Sequence, residues 1–409
     1  MRTPSVLSVI LASTIVLQAA AAGASPPEED DDASIGTRPA LVAPPAPGAA
    51  AEAVNGSSSD DEMEPMADSR LTIAGDPPSD WAVLHAGFRP HLRIFGGLAT
   101  FAVAHARVER FYGGFSFSAI RNDTGSHVGA LQLAIGRNLA NDYYGAAQIA
   151  LAENRARNFY GLGQLSLAYN RTLEMVALFQ IGAYNRAKND VGLLQLGGYN
   201  RTDESFSGAL QIGAFNHART DFSGVAQIGI LNAQYKLLDE AGTDGERFAG
   251  VAQLGLGNSA GIFRGAAQLG LVSYSADFAG GIQLGALIAG AQEFRGLAQV
   301  GAVVLADESY GAQIGAGAIS TEEHHGLQLG AAVNWAASVS GAQIGLVNVA
   351  EEVNGVQVGL FNHTERLRGL QIGLVNHAED GVLQWTALLN MGFDEGGYET
   401  SHYTARRAE

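Results

Sequence analysis

The chain contains no cysteine among its 409 residues. This excludes disulfide bonds and a lipid-modified cysteine anchor, so side-chain packing and backbone pairing must stabilise the fold. Charged residues make up only 16% of the chain and aromatic residues only 8%. The formal net charge is −17, and nucleic-acid-binding proteins need a basic surface. The sequence therefore predicts no nucleic-acid partner.

Long apolar runs are also scarce, and one of them lies at the N-terminus. Arg2 precedes the apolar run at 6–17, and small residues at Ala22 and Ala24 follow it. This order is typical of a secretory signal peptide that is cleaved before Ser25. A run of about twelve residues is too short for a membrane-spanning helix, which needs about twenty. We predict a signal peptide at 1–24 and export to the cell surface, the outer membrane or the periplasm.

Residues 25–80 differ in composition from the rest of the chain. They contain thirteen Asp or Glu against two Arg, together with proline and small residues, and show no apolar periodicity. Such a segment cannot bury enough apolar surface to fold by itself. We predict a disordered acidic linker here, and a polar tail at 394–409 that has no recognisable anchor.

Glycine is abundant, with 53 residues, and recurs regularly beside glutamine. The glutamines divide an array at 81–393 into units of 13 to 16 residues, apart from one gap of 26 that contains a loop inserted at 236–247. Thr100 and Ser116 keep this step, which indicates degenerate N-terminal units. The marked glutamines are Gln132, Gln148, Gln164, Gln180, Gln195, Gln211, Gln227, Gln253, Gln268, Gln283, Gln299, Gln313, Gln328, Gln343, Gln357, Gln371 and Gln384.

Each unit alternates with period two around its glutamine, which predicts one short β-strand. An asparagine usually follows, and this residue is typical of a corner. Two architectures use strands at this step: a β-solenoid of about 15-residue parallel coils, and an antiparallel up-and-down β-barrel. A barrel alternates short turns with long loops, whereas every connection in this array resembles the next. We therefore predict an all-β solenoid and keep the barrel as the alternative.

The strand alternation separates two sets of side chains. Ile344 and Leu346 point to one side of their strand, and Gln343 and Gly345 point to the other. We expect Ile and Leu to fill a narrow core. The glutamines would stack into a ladder in which each amide donates to one neighbour and accepts from the other. The side that the ladder faces stays open, although aliphatic residues in the core would place it outside.

The repeat GVQVGLFNHTERLRGLQIGLVNHAED at 355–380 resembles the G-x-Q-[IV]-G-[LI]-x-N units of bacterial surface-repeat proteins first recognised in Leptospira. The resemblance extends over about 96–393. It implies export and display at a cell surface, and the motif carries no known chemistry. Early units such as GALQLAIGRN depart from the motif at the glycine that follows the glutamine.

No pattern that carries catalysis interrupts the repeat. The sequence lacks a Cys/His metal pattern, a G-x-S-x-G elbow and a phosphate-binding glycine loop ahead of a helix. The acidic pairs at 322–323 and 351–352 have no evident partner across a groove, as glycoside hydrolysis requires. His363 and His377, and the pair at 324–325, lack the further ligands of a structural zinc site. We predict no enzymatic activity, no cofactor and no metal site.

Two stripes flank the corner asparagine in the early units. A cation follows this asparagine in five consecutive units, and an aromatic residue precedes it in four. Parallel stacking would place both stripes on one edge, where aromatic rings stack on sugars and guanidinium groups pair with acidic sugars or phosphates. Alternatively, the tyrosines cap the core, and Asp190, Asp203 and Glu204 balance the arginines. The candidate binding residues are Arg155, Arg171, Arg186, Arg201, Tyr169, Tyr184, Tyr199 and Phe215.

Together these patterns predict an exported, non-enzymatic repeat protein of the cell surface or envelope, with a structural or adhesive role. The expected partners are a cell-envelope polysaccharide, bound through the Arg/aromatic edge, or another surface protein; contact with a membrane stays open. The alternative is an outer-membrane β-barrel or pore, in which Gln and Gly line the lumen and Ile and Leu face lipid.

Overall fold

The computed structural model describes residues 78–234 and 246–393. The signal peptide predicted at 1–24, all but the last three residues of the linker predicted at 25–80, most of the loop at 236–247 and the tail at 394–409 lie outside the described residues. The two described ranges contain β-strands and no helix. Within them, accordingly, no helix is long and apolar enough to cross a membrane.

The strands follow one another along the chain with short connections. The last long stretch, β17, runs over 122 residues and comprises several successive coils. The strands are β1 Ser79–Trp81, β2 Leu84–Gly87, β3 His91–Ala102, β4 His105–Ser118, β5 Arg121–Ala134, β6 Arg137–Ala150, β7 Glu153–Tyr160, β8 Gly163–Ser166, β9 Tyr169–Val176, β10 Phe179–Ile181, β11 Tyr184–Thr202, β12 Ser205–Ala218, β13 Asp221–Ser223, β14 Ala226–Gln234, β15 Arg247–Ala249, β16 Ala252–Leu254, β17 Gly257–Ala378 and β18 Trp385–Gly392.

Neighbouring coils pair in parallel, with like residues opposite each other. Thr100 pairs with Ser116, Ser116 with Gln132, and Gln132 with Gln148, each sixteen residues apart. The degenerate N-terminal units therefore occupy the glutamine position, as predicted. Parallel stacking at this step is a β-solenoid, which confirms the predicted fold. The alternative of an up-and-down barrel is wrong, because neighbouring strands of such a barrel run antiparallel.

The register survives the one long gap between repeats. Phe222 pairs with Phe248 and Gln227 with Gln253, although 26 residues separate each pair. Strand β14 ends at Gln234 before the gap and strand β15 begins at Arg247 after it, and both pair with their neighbours in ordinary coil register. The described coils therefore keep one register on both sides of the gap.

A ladder of glutamine side chains runs through the interior. From Gln148 to Gln371, each Nε2 donates to the Oε1 of the glutamine one coil earlier, at 2.6–3.1 Å. These sixteen glutamines, beginning with Gln132, are at most 1% exposed. A buried amide is costly unless it is paired, and the ladder pairs each one with its equivalents above and below.

The corner asparagines form a second ladder, which runs in the opposite sense. Asn138 donates to Asn154 of the following coil at 2.9 Å, and this pattern continues without a break to Asn258. It resumes at Asn334 and ends at Asn376. Because glutamines donate backwards and asparagines donate forwards, the two rows of amide dipoles oppose each other along the stack.

Aromatic rings form a third interior row. Phe206, Phe222, Phe248, Phe263, Phe278 and Phe294 are buried and stack at centroid distances of 4.9–5.1 Å. Each lies five residues before a ladder glutamine. Towards the C-terminus the corresponding buried residues are Val339, Val353 and Leu367, which lie four residues before their glutamines. This row, which we call the aromatic ladder, provides most of the apolar core.

The expectation that Ile and Leu fill the core is wrong. Gln343 is fully buried, whereas Ile344 is 38% exposed and Leu346 is 52% exposed. Charged residues between each corner asparagine and the next glycine, such as Glu365 and Arg368, must face water, and this requirement places Asn362 and Leu367 inside. The same alternation then points the glutamine inward, since a shift of one residue reverses every side chain of a strand.

Glycine after the glutamine provides room for this interior. A Cβ on Gly345 would collide with the carbonyl oxygen of Gly330 and would lie 2.7 Å from Nδ2 of Asn334. The glycine before the glutamine has another role in the C-terminal coils, where Gly341 has a φ of 145°. L-residues rarely adopt that backbone conformation.

Two surfaces result from this arrangement. The apolar face consists of the residues one before, one after and three after each ladder glutamine from Gln132 to Gln371. All of these positions carry Gly, Ala, Val, Ile or Leu, with Phe179 as the single aromatic residue. The polar wall consists of the outward-facing residues between each corner asparagine and the glycine of the next coil.

The C-terminal strand ends the stack by reversing direction. Strand β18 pairs antiparallel with the last coil, placing Asn390 opposite Gln371, whose Oε1 accepts a hydrogen bond from Asn390 at 3.4 Å. The prediction that Gln384 marks a further unit is wrong. Gln384 is exposed and lies outside the ladder, because the chain turns back between Glu379 and Gln384 instead of continuing the coil.

We expect Gln343→Leu to destabilise the stack. The variant leaves Oε1 of Gln328 without its ladder donor, and leaves Nε2 of Gln357 with only a 3.4 Å contact to the His363 carbonyl. Each buried orphan costs about 1–3 kcal/mol, so we expect a loss of roughly 2–5 kcal/mol, measured by denaturant unfolding. The matched control is Gln384→Leu, outside the ladder, which should change stability little. Equal effects of the two substitutions would contradict a buried ladder.

Candidate binding surface

The predicted Arg/aromatic edge exists as an arrangement in space. Asn170 and Asn185 point inward, so the residues on both sides of each asparagine point outward at the corner. Tyr169 pairs with Tyr184, and Arg155 pairs with Arg171, which pairs with Arg186. The rings of Tyr184 and Tyr199 stack at 5.1 Å, while the contacts of Tyr169 with Tyr184 and of Tyr199 with Phe215 are tilted, at 5.7 and 6.2 Å.

Acidic residues neutralise part of this edge. Asp203 accepts from Nε of Arg186 at 2.8 Å and from Nε of Arg201 at 2.6 Å. Burial opposes ionisation of Asp203, but the two arginines outweigh it and lower its pKa. Glu204 pairs with Lys188 at 3.1 Å. The expected balancing of arginines is therefore confirmed for Asp203, whereas Glu204 pairs with a lysine instead. An anionic ligand would have to compete with Asp203 for Arg186 and Arg201.

Asp190 does not balance the edge, contrary to expectation. It is 3% exposed and occupies the aromatic ladder, in register with Met175 on one side and Phe206 on the other. Burial raises its pKa to about 7. A carboxyl group at this position stays protonated well above its usual range, because the surroundings disfavour the charge.

Histidines interrupt the same ladder at two other positions. His127 is fully buried between Phe111 and Tyr143, with ring centroids 4.4 and 5.0 Å away, and neither ring nitrogen has a hydrogen-bond partner in the described residues. Burial lowers its pKa to about 3. His324 contacts Ser309 through Nδ1 at 2.5 Å, and burial lowers its pKa to about 4.

The second histidine stripe lies at a corner near the C-terminal end. Nδ1 of His363 and Nδ1 of His377 are 2.7 Å apart, and Trp385 packs over the His377 ring at 4.1 Å. In the two described ranges, no three His, Asp, Glu or Cys side chains are grouped closely enough to hold a metal ion. The geometry fits a hydrogen bond between the two imidazoles in a polar corner.

The apolar face extends over the coils from Gln132 to Gln371, and the sequence patterns did not predict it. Near the C-terminal end it becomes a groove of about 800 Å³ lined by aliphatic side chains and glycine backbone. Ile314, Leu329, Ile344, Val358 and Ile372 follow one another along its floor, and Leu388 of β18 borders it. Monomeric proteins rarely expose contiguous apolar patches larger than a few hundred Å², so this face indicates a contact surface.

Comparison of the chain with protein families, with curated proteins and with solved structures finds no match.

Stability should depend on pH through Asp190. Its carboxyl titrates near 3.8 when unfolded and near 7 in the fold, so the unfolded state releases the proton first as pH rises. The free energy of unfolding should therefore fall between about pH 4 and pH 7 and stay low above that range. Asp190→Asn cannot ionise, and we expect it to exceed the natural protein in stability at pH 8 by roughly 4 kcal/mol, at 1.36 kcal/mol per pKa unit.

Thermal melting at pH 4.5 and pH 8 measures this difference. Protonation of the buried His127 and His324 lowers the stability of both proteins at acid pH. This effect cancels when the two proteins are compared at the same pH. Glu351→Gln, a change of an exposed carboxylate, serves as the control. An advantage of Asp190→Asn that is the same at both pH values would rule out ionisation as its cause.

Proposed function

We propose that this chain is an exported repeat protein of the cell envelope that acts through surface contact, with a structural or adhesive role. The observation that carries this proposal is the rows of like side chains that successive coils present outward. The Arg/aromatic edge and the apolar face are both such rows. Contact over a row suits an extended partner, such as a polymer or another elongated protein.

The interior chemistry supports a scaffold role. The buried polar groups at the glutamine and asparagine positions pair with their own equivalents in neighbouring coils, with hydrogen bonds of 2.6–3.1 Å along the glutamine row. Amides committed to such bonds hold the coils in register. The acidic pair at 351–352 likewise serves structure, because Glu352 accepts from Arg366 and Arg368 on the polar wall at 3.0 and 3.1 Å.

For the adhesive role we favour an acidic envelope polysaccharide as ligand of the Arg/aromatic edge. Tyr169 is 38% exposed, and the rings of Tyr184 and Tyr199, whose faces stack on each other at 5.1 Å, continue the row. A sugar chain lying along this row would pack against the tyrosine rings and replace Asp203 with its own carboxylates on Arg186 and Arg201. The affinity for the polysaccharide then depends on how well its carboxylates compete with Asp203 for the two arginines.

This competition gives two variants with opposite expected effects. Asp203→Asn removes the internal acceptor charge, so binding of polygalacturonate, an acidic polysaccharide, should tighten several-fold. Replacing Arg155, Arg171, Arg186 and Arg201 together by alanine should weaken it at least tenfold. The readout is affinity electrophoresis of the full chain, with uncharged dextran as the control polymer and the pair Arg366→Ala and Arg368→Ala as the control variant. Binding that neither edge variant changes would exclude this edge as the site.

A further inference from the structure

We propose that the apolar face binds the apolar face of a second copy of this chain, with the two solenoids running in opposite directions. This contact uses a different surface from the Arg/aromatic edge and does not depend on the ligand of that edge. The partner is identified by three properties of the face: its extent, its chemical uniformity and the charge distribution along the array.

The extent of the face matches a stable dimer. Sixteen coils at about 4.8 Å per coil give a length of roughly 75 Å, and the three columns of side chains cover five residues, or about 16 Å, along the strand. The face therefore covers roughly 1,200 Å² on each copy, or about 2,400 Å² in a pair. Standard protein interfaces bury about 1,200–2,000 Å² in total, and permanent homodimers bury more.

The uniformity of the face suits another sheet. It is built from parallel strands whose outward positions carry only Gly, Ala, Val, Ile or Leu, apart from Phe179. Leu256 is 54% exposed and Leu271 is 42% exposed, so these side chains project from the sheet into solvent. Two such faces pack about 10 Å apart with interdigitated side chains, as the sheets of a β-sandwich do. The described residues that border the gap at 235–245, Gln234 and Glu246, lie seven residues from the nearest ladder glutamine, whereas the positions of the face lie within three.

The charge distribution along the array favours the antiparallel orientation of the two copies. Residues 78–234 contain thirteen Lys or Arg and ten Asp or Glu, whereas residues 246–393 contain five and twelve. The first half of the array is thus mildly basic and the second half is clearly acidic. Antiparallel pairing brings each half against the opposite half of the partner, while parallel pairing would bring the two acidic halves together. The acidic half, together with a whole-chain net charge of −17, also disfavours an anionic lipid surface as the occupant.

The twofold axis follows from full overlap of the two faces. The midpoint of the sixteen coils lies between Gln253 and Gln268, so the axis passes there. Leu269 then lies near its own equivalent in the partner, whereas Leu133 at one end lies near Ile372 at the other. Because the chain has no cysteine, introduced cysteines report these neighbours without background.

The first test is the mass of the full chain in solution, measured by sedimentation equilibrium. We expect a dimer at micromolar concentration. Leu256→Asp together with Leu271→Asp should raise the dissociation constant at least a hundredfold while the circular dichroism spectrum is kept, because the charges would be buried at the centre of the interface. Val191→Asp, an equally exposed apolar position outside the apolar face, should leave the dimer intact. A natural chain that is monomeric at these concentrations would overturn the proposal.

The second test is oxidative cross-linking of single-cysteine variants. Leu269→Cys should form a disulfide-linked dimer by itself. Leu133→Cys and Ile372→Cys should cross-link only when the two variants are mixed. Self-cross-linking of Leu133→Cys would contradict the antiparallel arrangement. Co-sedimentation of a monomeric chain with vesicles of phosphatidylcholine and phosphatidylglycerol, lost in the Leu256→Asp, Leu271→Asp variant, would instead assign the face to lipid.

Discussion

The fold depends on the pairing of side-chain amides between neighbouring coils. A buried glutamine is tolerable only if both its donor and its acceptor are occupied, and in this stack the partner of each glutamine is the same residue one coil away. This condition fixes which residues of neighbouring coils lie opposite each other, because a shift by one residue would leave the whole row of glutamine amides unpaired. It also explains why Gln253 still pairs with Gln227 across 26 residues of chain.

The orientation of the amides determines what the molecule presents outward. Each coil has few inward positions, and amides, an aromatic or aliphatic side chain and small residues fill them. Ile and Leu are therefore left on the outside of the glutamine strand, where they form the apolar face. Along the glutamine strand the interior is polar and the surface is apolar, which reverses the usual distribution of polar and apolar residues. A protein with this construction gains from having its apolar face covered.

Much of the architecture follows from the sequence alone, but the inside and outside do not. Periodicity and the uniform connections predict the parallel solenoid, the positions of Thr100 and Ser116, and the Tyr and Arg stripes at one edge. An assignment based on hydrophobicity places Ile344 inside and Gln343 outside. It is wrong because it ignores that a glutamine amide can pair with the equivalent amide of the neighbouring coil. The signal for the correct assignment lies five residues before six successive glutamines, where phenylalanine recurs from Phe206 to Phe294. Spacing also cannot reveal that the chain reverses before Gln384.

Hydrogen exchange of the glutamine side-chain amides tests the inward orientation most directly. In a chain labelled with ¹⁵N at glutamine, the Nε2 protons of the sixteen ladder residues should persist after roughly hours in D₂O, since exchange requires opening of the stack. The exposed Gln292 and Gln384 provide internal references that exchange at once. Ladder amides that exchange as fast as these two would show that the glutamines face water, which would contradict the buried ladder on which the fold depends.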